Sequence, residues 1–206
     1  WKVTGQAQYG DDVRLPGELI GRIVRSKHHY ARVLSIDVSA ALELPGVVAV
    51  ATGRDASGSF GVLPVTKDEH AMARDKVRHV GDLVACVAAV DESTAREAAR
   101  LIEVEYEEMD ATHDMRKGLD DADEPIHDRG KYHIGSSNIQ KRVFQEFGDI
   151  DGMTENAVAS HKSDWLFAGA NHGFTEPHAV VAHWEPSGRL TLYTPQQVPH
   201  YVHRAL

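Results

Sequence analysis

The feature that most constrains the fold is one strand–helix–strand run in the middle of the chain. Residues 83–90 (Leu83-Val84-Ala85-Cys86-Val87-Ala88-Ala89-Val90) form an unbroken apolar stretch, too short for a helix core and the right length for a buried strand. Asp91 follows with the chemistry of an N-cap, and Glu92 suits the positive end of a new helix. The spacing predicts a helix over residues 93–100 with Ala95, Ala98 and Ala99 on its packing side. Residues 101–107 then alternate: Ile102, Val104 and Tyr106 point one way, Glu103, Glu105 and Glu107 the other. A sheet with one face under helices and the other partly wet follows, in an α+β or α/β fold.

Upstream, strands are expected at 18–25, 31–38 and 77–80. Residue 31 begins a loosely alternating strand that suits an edge or a strong twist. A helical turn at 39–44 ends at Pro45-Gly46, and a buried strand follows at 47–51. The glycine-containing stretch 53–61 lacks the spacing of a nucleotide loop and reads as an ordinary loop. Residues from about 110 to 137 are rich in Asp, Gly and His and read as a linker. Beyond it, strands are expected at 143–147, 179–185 and 189–194, with a turn at 148–151 and a hairpin turn at Pro186-Ser187-Gly188. Residues 138–206 carry too few elements to close a core. Trp1 and the helix that starts near Tyr201 make both ends read as cuts.

Charge narrows the function classes. The net charge is -9, with 31 acids against 22 bases, which disfavours nucleic-acid binding. Ten of those acids lie between Glu103 and Glu124. They read as a solvated strand face running into the linker, with a docking strip for a basic partner as the sharper alternative. No run of about 18 apolar residues predicts a membrane span. The single cysteine, Cys86, excludes an intrachain disulfide and an iron–sulfur site, reads as a small buried core residue, and fits a cytoplasmic protein.

Chemistry is sparsely marked. Of thirteen histidines, His172, His178 and His183 are the tightest set, but spacings of six and five do not match a metal-ligand pair on one helix face. No metal site and no catalytic residue is assigned. Two Pro-containing polar segments stand out, 170–178 (Ala-Asn-His-Gly-Phe-Thr-Glu-Pro-His) and 194–200 (Thr-Pro-Gln-Gln-Val-Pro-His). Their pattern alone names no reaction.

Several runs, taken in order, resemble one family. They are residues 3–9 with Asp11-Asp12, Gly21-Arg22-Ile23-Val24-Arg25-Ser26, residues 34–41, Leu44-Pro45-Gly46-Val47, Asp75-Lys76-Val77-Arg78 with Val80-Gly81-Asp82, and residues 101–107. The chain resembles the start of the large subunit of xanthine-oxidase-type molybdenum hydroxylases. Further runs are similar to the 4-hydroxybenzoyl-CoA reductase branch: residues 60–64, 73–78, Glu146-Phe147-Gly148-Asp149, Asn171-His172, and Gln197-Val198-Pro199 with Tyr201-Val202-His203.

The resemblance implies an α/β hammerhead domain at 1–112, a linker at 113–137, and the incomplete beginning of an α+β molybdenum-cofactor-binding domain at 138–206. It implies that Gln197 lies beside the molybdenum centre as a cofactor-binding residue. Glu176 would lie near the substrate funnel, as orienting group or as structural acceptor, with His172 and Phe174 close by. The implied cofactor is a molybdopterin dinucleotide, with iron–sulfur clusters and FAD on partner subunits, namely an iron–sulfur subunit and a flavin subunit. The implied substrate is a small aromatic molecule. One reaction is reductive dehydroxylation of 4-hydroxybenzoyl-CoA; the alternative is hydroxylation of aldehydes or N-heterocycles. A non-catalytic docking module is the reading from another class. The family's Gly-Gly-Gly-Phe-Gly segment and its late general-base glutamate do not occur in these 206 residues, so this stretch alone is expected to be inactive.

Overall fold

A computed structural model describes residues 1–56, 58–61, 67–119, 125–127 and 138–206. By contacts it forms two units. One comprises Arg14–Lys141 with Val198–Leu206, the other Trp1–Val13 with Arg142–Gln197.

The first unit holds two three-stranded sheets. Strand β1 (Ile20–Arg25) and β3 (Val47–Thr52) flank β7 (Leu83–Ala89) in one; β6 (Lys76–Val77) and β8 (Glu103–Glu108) flank β2 (Ala31–Asp37) in the other. A small ribbon pairs β4 (Ser59–Phe60) with β5 (Glu69–His70). All of these pairings are antiparallel, which makes the architecture α+β. Helices α1 (Ser39–Glu43) and α2 (Glu92–Leu101) pack on the first sheet. The contact is built from small residues: Ala41, Ala85, Val87 and Ala98 are buried, together with Ile102. Alanines bring the helix axis close to the strands, so the core is thin and has little slack for larger side chains. A second cluster, Ala31, Ala73, Val77 and Val84, packs with Ile36, Val104 and Tyr106.

The helix starts where the sequence predicts. Asp91 is extended, and its carboxylate accepts the Thr94 N–H at 2.8 Å and the Ser93 hydroxyl at 2.6 Å. These bonds, that from Ser93 first, hold the Asp91 carboxyl below its usual value of 3.8. A lowered folded-state value means that the cap stabilises above the unfolded value and is lost as pH falls through the folded one. Asp91→Ala is therefore expected to lower the melting temperature at pH 7, and the gap to the parent should narrow below pH 3.8. A pH-independent gap in paired thermal melts would remove the carboxylate from the cap.

Several expectations are corrected. Cys86 is only partly buried, because in the alternation of β7 it points away from the face that Ala85, Val87 and Ala89 turn inward. Burial of this partial kind still pushes its thiol pKa up. The strand expected at 47–51 is not a buried one: it flanks β7, and Val48 is 56% exposed. The strand expected at 31–38 is the middle strand of its sheet, not an edge. Its loose alternation comes with a bulge between Val33 and Ser35 in the pairing with β8, while on the other edge the Val33 N–H donates to the Asp75 carbonyl just before β6. The strand expected at 77–80 stops at Val77, since the Arg78 N–H donates to the Asp82 carboxylate and the chain turns. The expected strand at 143–147 does not form. It has no partner ladder, Phe144 and Phe147 are exposed, and the expected turn at 148–151 instead opens helix α3 (Ile150–Glu155), capped by Asp149.

Three acids of the strip have partners on the neighbouring strand β2 or just before it. Glu107 meets Arg32 at 3.2 Å, Glu108 meets the His28 ring at 2.7 Å, and Glu105 accepts from Ser35. Its later members, residues 120–124, lie outside the described residues, as do 128–137 of the linker. The intervening tripeptide is fastened down: Tyr30 and Lys76 donate to the Pro125 carbonyl at 3.0 and 2.6 Å, Arg78 donates to the Ile126 carbonyl, and the Ile126 N–H donates to Asn138.

The second unit has a different character. It holds the hairpin of β9 (Val181–Trp184) and β10 (Leu190–Tyr193) and helix α3, and none of its residues is buried. Gly188 takes a φ of 86° in the hairpin turn, where glycine carries no Cβ penalty. Trp165, Leu166 and Phe167 are each more than four-fifths exposed. Helix α4 (Pro199–Ala205) belongs by contact to the first unit. No described helix is long and apolar enough to cross a membrane.

Candidate functional site

The first polar segment and residues 194–197 of the second lie in the second unit, and the chain's own beginning joins them there. Gly10 opens a short 3-10 turn (Gly10–Asp12), and its N–H donates to the Glu176 carboxylate at 3.0 Å, across 166 positions of sequence. The fit is close on the other side as well. A Cβ placed on Gly10 would stand 2.9 Å from the Pro195 ring and 3.6 Å from the Ala179 side chain. Gly10 thus touches the segment that carries Glu176 and the segment that leads to Gln197.

Glu176 is the one partly buried residue between Met153 and His178. The proline after it favours an extended backbone, which lets the side chain leave the loop. A charge-assisted bond to a backbone N–H is among the stronger neutral-to-ion contacts. Of the two roles expected for Glu176, the structural acceptor has a partner on hand. Glu176→Ala should therefore speed amide exchange at Gly10 on the order of tenfold, since a bond to a charged group contributes about 1.5 kcal/mol or more. Mass spectrometry of a peptide covering residues 9–12 reads this, and unchanged exchange would mean the bond contributes nothing.

His172 and Phe174 come together. Gly173 between them has a φ of 58°, and its N–H donates to the Asn171 side chain at 2.8 Å, making a tight turn. The turn lays the His172 ring parallel to that of Phe174, with centroids 5.1 Å apart and planes 6° apart. His178 meets Phe174 edge-on at 5.4 Å. The histidines here are ring partners. His183 sits apart from them on β9, opposite Thr191. Among the described residues no group of three His, Cys, Asp or Glu could hold a metal ion.

Gln197 is exposed and lies just before Val198, the N-cap of α4, with Pro199 at the first helical position. Its amide makes no hydrogen bond among the described residues. It therefore presents a donor and an acceptor, both uncommitted and without charge. Sequence reasoning missed Gly10 and Pro195 as the pieces that hold this region together. Neither carries a local signal, because the contact is between segments far apart in the chain.

Similarity to known proteins runs along the whole chain. A family model described as the a/b hammerhead domain of aldehyde oxidase and xanthine dehydrogenase matches residues 4–110. A second, described as a molybdopterin cofactor-binding domain, matches residues 133–206. The chain is 33% identical over 202 residues to the large molybdopterin subunit of nicotinate dehydrogenase from Eubacterium barkeri, covering 97% of this chain and 45% of that one. It is 30% identical over 215 residues to the molybdenum-binding subunit of xanthine dehydrogenase from Escherichia coli O157:H7, covering all of this chain and 28% of the relative. Among solved structures, quinoline 2-oxidoreductase from Pseudomonas putida 86 superposes with a TM-score of 0.80 at 27% identity, over 98% of this chain and 26% of its own. The chain spans less than half the length of each of these relatives.

Proposed function

Since this chain belongs to the aldehyde oxidase and xanthine dehydrogenase family, we propose that it works as part of the large, molybdenum-binding subunit of an oxidoreductase. The observation that carries this is the tandem order of the two matches, a hammerhead domain at 4–110 and a molybdopterin-binding domain from 133 onward. In this reading residues 1–112 act as the hammerhead, 113–137 as the linker and 138–206 as the opening of the cofactor-binding domain.

The residues present fit a supporting role toward the cofactor. Gln197 would offer its neutral amide to an oxo group or to substrate, which suits a side chain whose donor and acceptor are both uncommitted. One amide does not hold a pterin dinucleotide, so these 206 residues alone are expected neither to retain the cofactor nor to turn over. When bound, the molybdenum cofactor supplies the two-electron redox chemistry. Glu176 would fix the loop through Gly10, and the parallel rings of His172 and Phe174 would line the approach for a planar substrate. Iron–sulfur clusters and FAD on two partner subunits would conduct electrons, away from the site in a hydroxylation and toward it in a reductive dehydroxylation. A cytoplasmic location is favoured by the single thiol.

Two substrate readings are carried by different observations. The relatives named for nicotinate, xanthine and quinoline favour hydroxylation of an N-heterocycle, or of an aldehyde, with water as oxygen source. The runs at 60–64, 73–78, 146–149 and 197–203 favour reductive dehydroxylation of 4-hydroxybenzoyl-CoA. The test is molybdenum analysis of the full-length protein with its partners, combined with assays on N-heterocycles, purines, aldehydes and 4-hydroxybenzoyl-CoA. About one molybdenum per large subunit and turnover of one class is the expected result. A preparation without molybdenum, inactive on every class, would overturn the reading.

A further inference from the structure

Helix α4, strand β4 with Gly61, and Lys67, all in the first unit, line a cavity of about 410 Å³. Ser59, Phe60 and Lys67 line one side, Tyr201 and Arg204 the other. Its chemistry differs from the rest of the surface. The chain carries a net charge of -9, and five of its other arginines are drawn into acid pairs: Arg14 with Glu18, Arg22 and Arg96 with Glu92, Arg32 with Glu107, Arg100 with Glu97. No acid lines this cavity, and neither Lys67 nor Arg204 pairs with an acid among the described residues.

Two cations facing one concave space repel each other unless an anion enters, and a concave wall raises the local potential that attracts one. Two of the remaining wall residues are aromatic, beside the small Ser59, Gly61 and Ala205. Phe60 is partly buried, and Tyr201 is 44% exposed with the Arg204 guanidinium stacked 4.8 Å from its ring centroid. That stack orders the arginine before any ligand arrives, which lowers the entropy cost of using it. The volume lies within the usual range for a small-molecule site of roughly 300–1,000 Å³.

We propose that this cavity binds a planar aromatic anion, its ring against Phe60 and Tyr201 and its charge on Lys67 and Arg204. The site does not depend on the redox reading, because it rests on charge and shape within the first unit. Neither cation was marked by the sequence: 137 positions separate Lys67 from Arg204, and only the fold brings them to one wall.

The test is isothermal titration calorimetry on the oxidised full-length protein with its partner subunits, without reducing substrate, so that no turnover occurs. The probes are benzoate, benzyl alcohol and inorganic phosphate. Benzoate is expected to bind at least about tenfold tighter than either of the others, because each of those lacks one half of the recognition. Lys67→Gln and Arg204→Gln should each weaken benzoate by about tenfold, the loss of one charged hydrogen bond. Both side chains are exposed, so melting temperatures should stay at the parent value, and Arg204→Lys should retain part of the affinity. Benzoate affinity unchanged in the double Gln variant would overturn the proposal, as would equal binding of benzyl alcohol or phosphate. Loss of benzoate binding in these variants with molybdenum content and turnover intact would support the site independently of the proposed reaction.

Discussion

Gly53→Ala is expected to lower the melting temperature by about 6–12 °C. Gly53 is buried in the turn that leaves β3, where the Asp55 N–H closes onto the Thr52 carbonyl and Asp55 in turn accepts from Thr52. A Cβ there would lie 2.3 Å from the Ala73 carbonyl oxygen, 2.7 Å from its carbon and 2.8 Å from the Met72 oxygen. These are backbone atoms and cannot rotate aside. They are also anchored, because the Ala73 N–H donates to the Leu83 carbonyl at 2.6 Å and Ala73 is part of the second core cluster. Relief would require the end of β3 to move away from this segment. We place the cost at the upper end of overpacking, about 3 kcal/mol. Gly58→Ala is the control, since a Cβ at Gly58 meets nothing within 4 Å. Paired thermal melts measure both, and equal melting temperatures would show that the turn yields without cost.

On the proposed function, Gln197→Ala in the full-length protein with its partners is expected to lower kcat about 100-fold while leaving molybdenum content and melting temperature unchanged. The magnitude follows from removing one preorganised hydrogen-bond partner at a site of developing charge, which costs about 10²–10³. The unchanged stability follows from its exposure and from an amide that bonds to nothing among the described residues. Gln197→Glu keeps the size and loses the donor, and it adds a negative charge that the neutral amide avoids. It should be at least as impaired as the alanine variant. Full activity in both would take Gln197 out of the site; loss of molybdenum in both would make its role one of holding the cofactor.

The legible part of the fold is the part governed by short-range rules. The run from β7 through α2 to β8 matches the sequence reading within a residue or two, because strand alternation, a capping aspartate and an alanine stripe act over four residues or fewer. The β9–β10 hairpin was legible for the same reason, with Pro186-Ser187-Gly188 at its turn. The failures share one cause. A strand at 143–147 needs a neighbour to pair with, the bulge in β2 belongs to its pairing with the distant β8, and the outward turn of Cys86 depends on which face of β7 the helices cover. None of these is a property of the local residues.

The same division runs through the candidate sites. From its residues alone the sequence marked two unusual segments, and its ordered runs pointed to the family to which the chain belongs and, through that resemblance, to Glu176 and Gln197. Tertiary structure alone decided what those residues touch. It tied Glu176 to Gly10 across 166 positions, stacked His172 on Phe174, and set Lys67 and Arg204 on one cavity without an acid between them. The physical reason is that periodicity and capping encode which face a residue turns, over a turn of helix or two residues of strand. Which distant segment meets that face is settled only when the whole chain folds, and that meeting is where a carboxylate becomes a clasp and a pair of cations becomes a binding site.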